Sequence, residues 1–77
     1  MSGLRLIDAK KFEKLLLFLG FVRIRQKGSH VFYRHPDGRY TTLPHHKGSL
    51  ISRSLIRQIL REINITVEEY VEILEKI

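Results

Sequence analysis

Apolar positions recur at helical spacing near both ends of the chain and at every second position between them. Phe12, Leu15, Leu16 and Leu19 stand at i, i+3, i+4 and i+7 behind Asp8, a good N-cap residue. Gly20 offers the left-handed residue that closes such a helix, and Phe21 the apolar side chain that packs back after it. The spacing predicts a helix over 9–19, with Lys10, Lys11 and Lys14 off its apolar stripe. From 22 to 27 the period changes to two. Val-Arg-Ile-Arg-Gln-Lys alternates apolar and basic residues as a half-buried strand does.

Gly28-Ser29 suits a two-residue hairpin loop that wants glycine first, and a second strand follows over 30–35. Pro36-Asp37-Gly38 provides the next turn, and a third strand runs over 39–43 until Pro44 ends it. Loops this short fix the register. Lys27 then opposes His30, Arg25 opposes Phe32, and Arg23 opposes Arg34. Across the second turn Arg34 opposes Tyr40 and Phe32 opposes Thr42. Opposed residues share a face. One face is therefore expected to carry Arg23, Arg25, Lys27, His30, Phe32, Arg34 and Tyr40. The other, expected to meet the helices, carries Val22, Ile24, Val31, Tyr33, Thr41 and Leu43. A slip of one residue in either hairpin would move His30 into that second set.

After the polar connection His45-His46-Lys47-Gly48-Ser49, Ser52 or Ser54 caps a second helix. Leu55, Ile56, Ile59, Leu60 and Ile63 form its stripe, Arg53, Arg57 and Arg61 recur on another face, and Asn64 is a helix stop. Thr66-Val67-Glu68-Glu69 is a capping box that opens a third, short helix reaching toward Lys76. Residues 1–77 form one domain of the α+β class, α-β-β-β-α in two layers with an extra C-terminal helix.

Charge changes the picture. Fourteen Lys+Arg against eight Asp+Glu give a net charge of +6, which favours a polyanionic partner. Most of the basic residues precede Glu62, whereas the stretch from Glu62 onward carries five glutamates and one lysine. The absence of cysteine excludes disulfides and thiolate zinc sites. The stretch Met1-Ser2-Gly3-Leu4-Arg5-Leu6-Ile7 lacks the apolar run of a signal peptide, and no segment is long and apolar enough to span a membrane, so a cytoplasmic location is expected.

Among the residues that carry chemistry, His30 stands first. It sits at a hairpin mouth beside Lys27 on a cationic face, and histidine takes or gives a proton near neutral pH. In RNA the 2′-hydroxyl beside each phosphodiester is a built-in nucleophile, so no metal or other cofactor is required. Arg23, Arg25, Lys27, Ser29 and Arg34 are candidates to bind or polarise the phosphate, and Phe32 and Tyr40 to stack on unpaired bases. His35, before Pro36 at a turn, is read as structural. His45-His46, adjacent in a loop without cysteine or a nearby carboxylate, is weak evidence for a metal. No phosphate-binding glycine loop, dinucleotide fingerprint or Ser/His/Asp set is present.

Five blocks carry a resemblance to a known family: Gly20-Phe21, Arg25-Gln26-Lys27-Gly28-Ser29-His30, Tyr33-Arg34-His35-Pro36-Asp37-Gly38-Arg39, Thr42-Leu43-Pro44-His45-His46 and Ile56-Arg57-Gln58-Ile59-Leu60. With these the chain resembles the HicA (YcfA-like) toxins over nearly its whole length. The resemblance implies a double-stranded-RNA-binding-domain-like fold and the toxin of a type II toxin–antitoxin pair. It further implies a ribosome-independent mRNA interferase, neutralised by a HicB-like antitoxin, whose catalytic histidine is His30. The expected partners are thus mRNA and that antitoxin, with no membrane and no small-molecule substrate. Two other readings share the basic face: an RNA-binding module of the same fold without cleavage, and an interaction domain for an acidic protein. Only the enzyme needs His30.

Overall fold

The computed structural model describes residues 4–77. Met1–Gly3, which open the stretch that lacks a signal-peptide run, lie outside the described residues. The element order is α1 (Ala9–Phe18), β1 (Val22–Lys27), β2 (His30–Arg34), β3 (Tyr40–Pro44), α2 (Arg53–Glu62) and α3 (Val67–Leu74). Each helix begins at the residue its sequence marks. Asp8 accepts from the Lys11 N–H, Ser52 from the Leu55 N–H, and Thr66 and Glu69 close a reciprocal capping box. Two of the helices also end where expected. Gly20, at φ +100°, follows α1, and the Phe21 N–H returns to the Leu16 carbonyl. Asn64, at φ +58°, follows α2, and the Ile65 N–H returns to Leu60.

The three strands form an antiparallel meander in the order β1-β2-β3. Both turns have the expected lengths. Lys27 pairs with His30 and Arg25 with Phe32 across the first, and Arg34 pairs with Tyr40 across the second. Gly28, at φ +59°, takes the left-handed position of the first loop. Above Arg25 the register departs from the simple ladder. A bulge between Arg23 and Arg25 makes Ile24 an extra residue, so Arg23 opposes Tyr33 and Val22 opposes Arg34. One inserted residue exchanges the faces of everything beyond it. Arg23 therefore leaves the basic face and lies across from Tyr33, 3.6 Å from Glu13 of α1. Val22 and Ile24, expected in the core, are instead 54% and 44% exposed.

The core lies between the β2–β3 face and the helices. Val31, Tyr33, Thr41 and Leu43 are buried on the sheet side against Phe12, Leu15 and Leu16 of α1 and Ile56, Ile59 and Leu60 of α2. Leu4, Ile7 and Ile51 close one end, where the Ile51 N–H donates to the Ile7 carbonyl. α3 completes the core with Tyr70, Ile73 and Leu74. The Tyr70 ring lies 5.9 Å from that of Phe12, and its hydroxyl donates to the Arg5 carbonyl. Burial pushes the Tyr70 phenol up to about 12. Glu68, Glu69, Glu72 and Glu75 stay exposed on its other sides, which sets the acidic tail apart from the basic sheet.

Candidate active site on the open sheet face

On the sheet face away from the helices, cations and aromatic rings interleave. The Arg25 guanidinium lies 4.4 Å from the centroid of the Phe32 ring, and Phe32 and Tyr40 stand 6.2 Å apart at 32°. Arg34 extends the row at 6.0 Å from the Tyr40 ring. The aromatics thus pack on one another and on arginine, while Tyr40 remains exposed and Phe32 half-buried. Both ring faces and guanidinium planes of this kind offer stacking platforms for unpaired bases beside phosphate-binding charge.

His30 begins β2 at the end of this row, paired with Lys27 on one side and Pro44 on the other. It is exposed, and among the described residues its ring makes no hydrogen bond. No protein group therefore fixes its tautomer, and either nitrogen is open to a ligand. His30 also opens onto α2. With Thr42 and Pro44 it lines a cleft of ≈ 220 Å³ whose other wall is Leu55, Gln58, Ile59 and Glu62. Gln58 lies in the Ile56–Leu60 block, but neither it nor Glu62 is a sequence candidate for the site, because nothing in the sequence places this side of α2 beside His30. Glu62 is held from two sides, by the Thr41 hydroxyl at 2.8 Å and the Gln58 amide at 3.3 Å. Ser29 is half-buried in the turn, and its carbonyl accepts from the His45 N–H at 2.7 Å.

The remaining histidines separate by environment. His35 is structural, as its place before Pro36 suggests. Its Nε2 meets the Leu19 carbonyl at 3.0 Å, its Nδ1 accepts from the Asp37 N–H at 3.1 Å, and its ring packs edge-on against Phe21. The Arg39 backbone N–H, with its guanidinium, holds the Asp37 carboxyl below its usual range and locks this turn. His45 is tied from the helix side. Its Nε2 lies 3.0 Å from the Tyr33 hydroxyl, which also lies 2.8 Å from Glu13. Among the described residues no three His, Asp or Glu side chains form a metal-holding group.

The arginine row of α2 does not reach His30. At about 100° per residue, Arg53, Arg57 and Arg61 lie roughly 150° around the helix from the Leu55–Glu62 wall. Arg53 instead donates to the Leu4 carbonyl at 3.3 Å. The structure thus brings Arg25, Lys27, His30, Phe32, Arg34 and Tyr40 onto one face and leaves Arg23 and the α2 arginines off it.

No curated protein matches the chain. A family model described as "HicA toxin of bacterial toxin-antitoxin" matches residues 9–65, from the start of α1 to the turn that closes α2. α3 lies beyond the matched span. With three quarters of the sequence covered, and with the α-β-β-β-α order of a double-stranded-RNA-binding-domain-like fold in place, the chain belongs to the HicA toxin family and is the toxin of a toxin–antitoxin system.

Proposed function

We propose that this toxin is an endoribonuclease that cleaves mRNA without the ribosome, with residues 1–77 acting as one HicA-like domain and His30 as its acid–base group. The observation that supports this most is the placement of His30: exposed, unpartnered among the described residues, and at the end of a row of stacked arginines and aromatics. Arg25, Lys27 and Arg34 bind phosphate, with Ser29 at the turn, while Phe32 and Tyr40 receive bases. Arg23, across the sheet and paired with Glu13, makes no contact on this face.

The reaction is a transesterification. The 2′-oxygen attacks phosphorus as its proton passes to a base, and the P–O5′ bond breaks as the 5′-oxygen gains a proton. His30 takes the first proton or supplies the second, and water serves the other step. Lys27, one ladder step away, offsets charge on the phosphate oxygens. A HicB-like antitoxin blocks the enzyme by covering this face, and its contacting surface is acidic. A complex that abolishes cleavage while leaving His30 open would contradict occlusion.

The test is digestion of a long, mixed-sequence RNA by purified protein in EDTA, with analysis of the new ends. Fragments carrying 2′,3′-cyclic phosphates and 5′-hydroxyls are expected. Loss of activity in EDTA, or 5′-phosphate ends, would contradict the metal-independent step. Binding without cleavage of any RNA would leave a binding module.

A further inference from the structure

A second cleft, of ≈ 390 Å³, lies on the helix side of the sheet, where β3 gives way to the connection toward α2. Lys10 and Glu13 of α1 form one wall, Arg23 of β1 another, and His45, His46 and Lys47 the third. Its acids are already engaged. Asp8 caps α1 through the Lys11 N–H at 2.9 Å, and Glu13 holds the Tyr33 hydroxyl and Arg23. Lys10 and Lys47 make no ion pair among the described residues. The cleft therefore presents surplus positive charge.

Proton accounting then fixes His45. The Glu13 carboxylate only accepts, so the Tyr33 hydroxyl donates its one proton to Glu13 at 2.8 Å. Toward His45, 3.0 Å away, the same oxygen must accept, so His45 Nε2 carries a hydrogen. Burial, and after it the bond to Glu13, push the Tyr33 phenol well above its ordinary value, so it remains the neutral donor. His45 Nδ1 has no protein partner among the described residues and is not shut away from solvent. It is the nitrogen left to face a ligand, and a phosphate oxygen, which only accepts, is met there by an N–H, so the ring in contact with phosphate carries a hydrogen on both nitrogens.

We infer that this cleft is a phosphate-binding subsite for the RNA strand that passes His30, with Lys10 and Lys47 supplying charge and His45 Nδ1 a positioned contact. The inference rests on the RNA-binding role proposed above. Continuity with the first site comes through the backbone. The His45 N–H donates to the Ser29 carbonyl, and Pro44 pairs with His30, so a strand rounding the sheet end passes from one histidine to the other. His45 here is a binding and positioning residue, and Tyr33 and Glu13 act through it.

The experiment uses full-length protein carrying His30→Ala, so that RNA is bound but not cut. Affinity for a short RNA oligonucleotide is measured across a salt series, with and without Lys10→Ala/Lys47→Ala. The double variant is expected to bind about tenfold more weakly, with a salt slope lower by about 1.4–1.8, that is about 0.7–0.9 for each phosphate no longer neutralised. Arg57→Ala/Arg61→Ala, equal in charge change but on the outer flank of α2, is expected to cost less. In parallel, the His45 ring nitrogens are followed by NMR as RNA or inorganic phosphate is added. A shift at Nδ1 with Nε2 still protonated is expected, and Tyr33→Phe should release the tautomer. Equal losses from the two double variants, a response to phosphate but not to RNA, or no movement of the ring would overturn the subsite. If wild-type protein fails to cut RNA while the Lys10/Lys47 and His45 effects appear, the nuclease proposal falls and the subsite stands. If it cuts RNA and those effects are absent, the reverse holds.

Discussion

Along β2 the side chains alternate between two surfaces that do different work. Val31 and Tyr33 are fully buried among helix residues, while His30 and Arg34 stand in solvent with Phe32 half-buried between them. The buried pair supports the domain, and the open row presents charge, rings and the His30 imidazole. Their separation by a single residue means that stability and RNA recognition can be damaged independently.

The largest expected effect falls on the buried side. Tyr33→Ala removes an aromatic ring from the core and leaves Glu13 and His45 without their shared hydroxyl, for a loss of about 3–5 kcal/mol. A domain of this size has total stability on the order of 5–15 kcal/mol, so denaturant titration should find the variant near its unfolding limit. A midpoint close to wild type would break the comparison. On the other face, Phe32→Ala should weaken RNA binding by about 1–3 kcal/mol while moving the unfolding midpoint far less. If stability falls more than affinity, Phe32 belongs to the core after all.

Titration sharpens the same contrast. The buried Tyr70, with a pKa pushed up to about 12, keeps its proton where an unfolded tyrosine at about 10 has lost it. Its contribution is therefore intact below pH about 10 and is lost as pH rises toward about 12, and Tyr33 acts in the same direction. Tyr70→Phe should flatten the alkaline fall in stability, read from unfolding midpoints between those limits. An unchanged slope would remove Tyr70 from the alkaline response. The smallest effect belongs to Arg25→Gln, which should lower the salt slope of RNA binding by about 0.7–0.9, the value of one phosphate contact. An unchanged slope would leave Arg25 as a partner of the Phe32 ring only.

Much of this architecture is legible in the sequence alone. The caps at Asp8, Ser52 and Thr66, the stops at Gly20 and Asn64, and both hairpin registers near their turns depend on local chemistry, which sequence displays directly. So does the face of His30, which lies only one residue past the first turn. The bulge at Ile24 is not legible, because Val-Arg-Ile-Arg satisfies a regular strand equally well. It costs the open face Arg23 and leaves Val22 and Ile24 exposed. The α2 wall of the His30 cleft and the Glu13–Tyr33–His45 chain are also hidden. They join residues from separate elements whose approach is set by packing of the whole core, so no local spacing announces them. α3 likewise shows its cap but not its role, since the burial of Tyr70, Ile73 and Leu74 and the Tyr70–Phe12 contact are what reveal that it completes the core.

The most direct test of the central claim compares wild type with His30→Ala for both RNA binding and RNA cleavage in one buffer. Cleavage is expected to fall by about 10²–10⁴ while affinity and unfolding midpoint stay near wild type. Cleavage at the wild-type rate, or a loss of binding as large as the loss of cleavage, would contradict the claim.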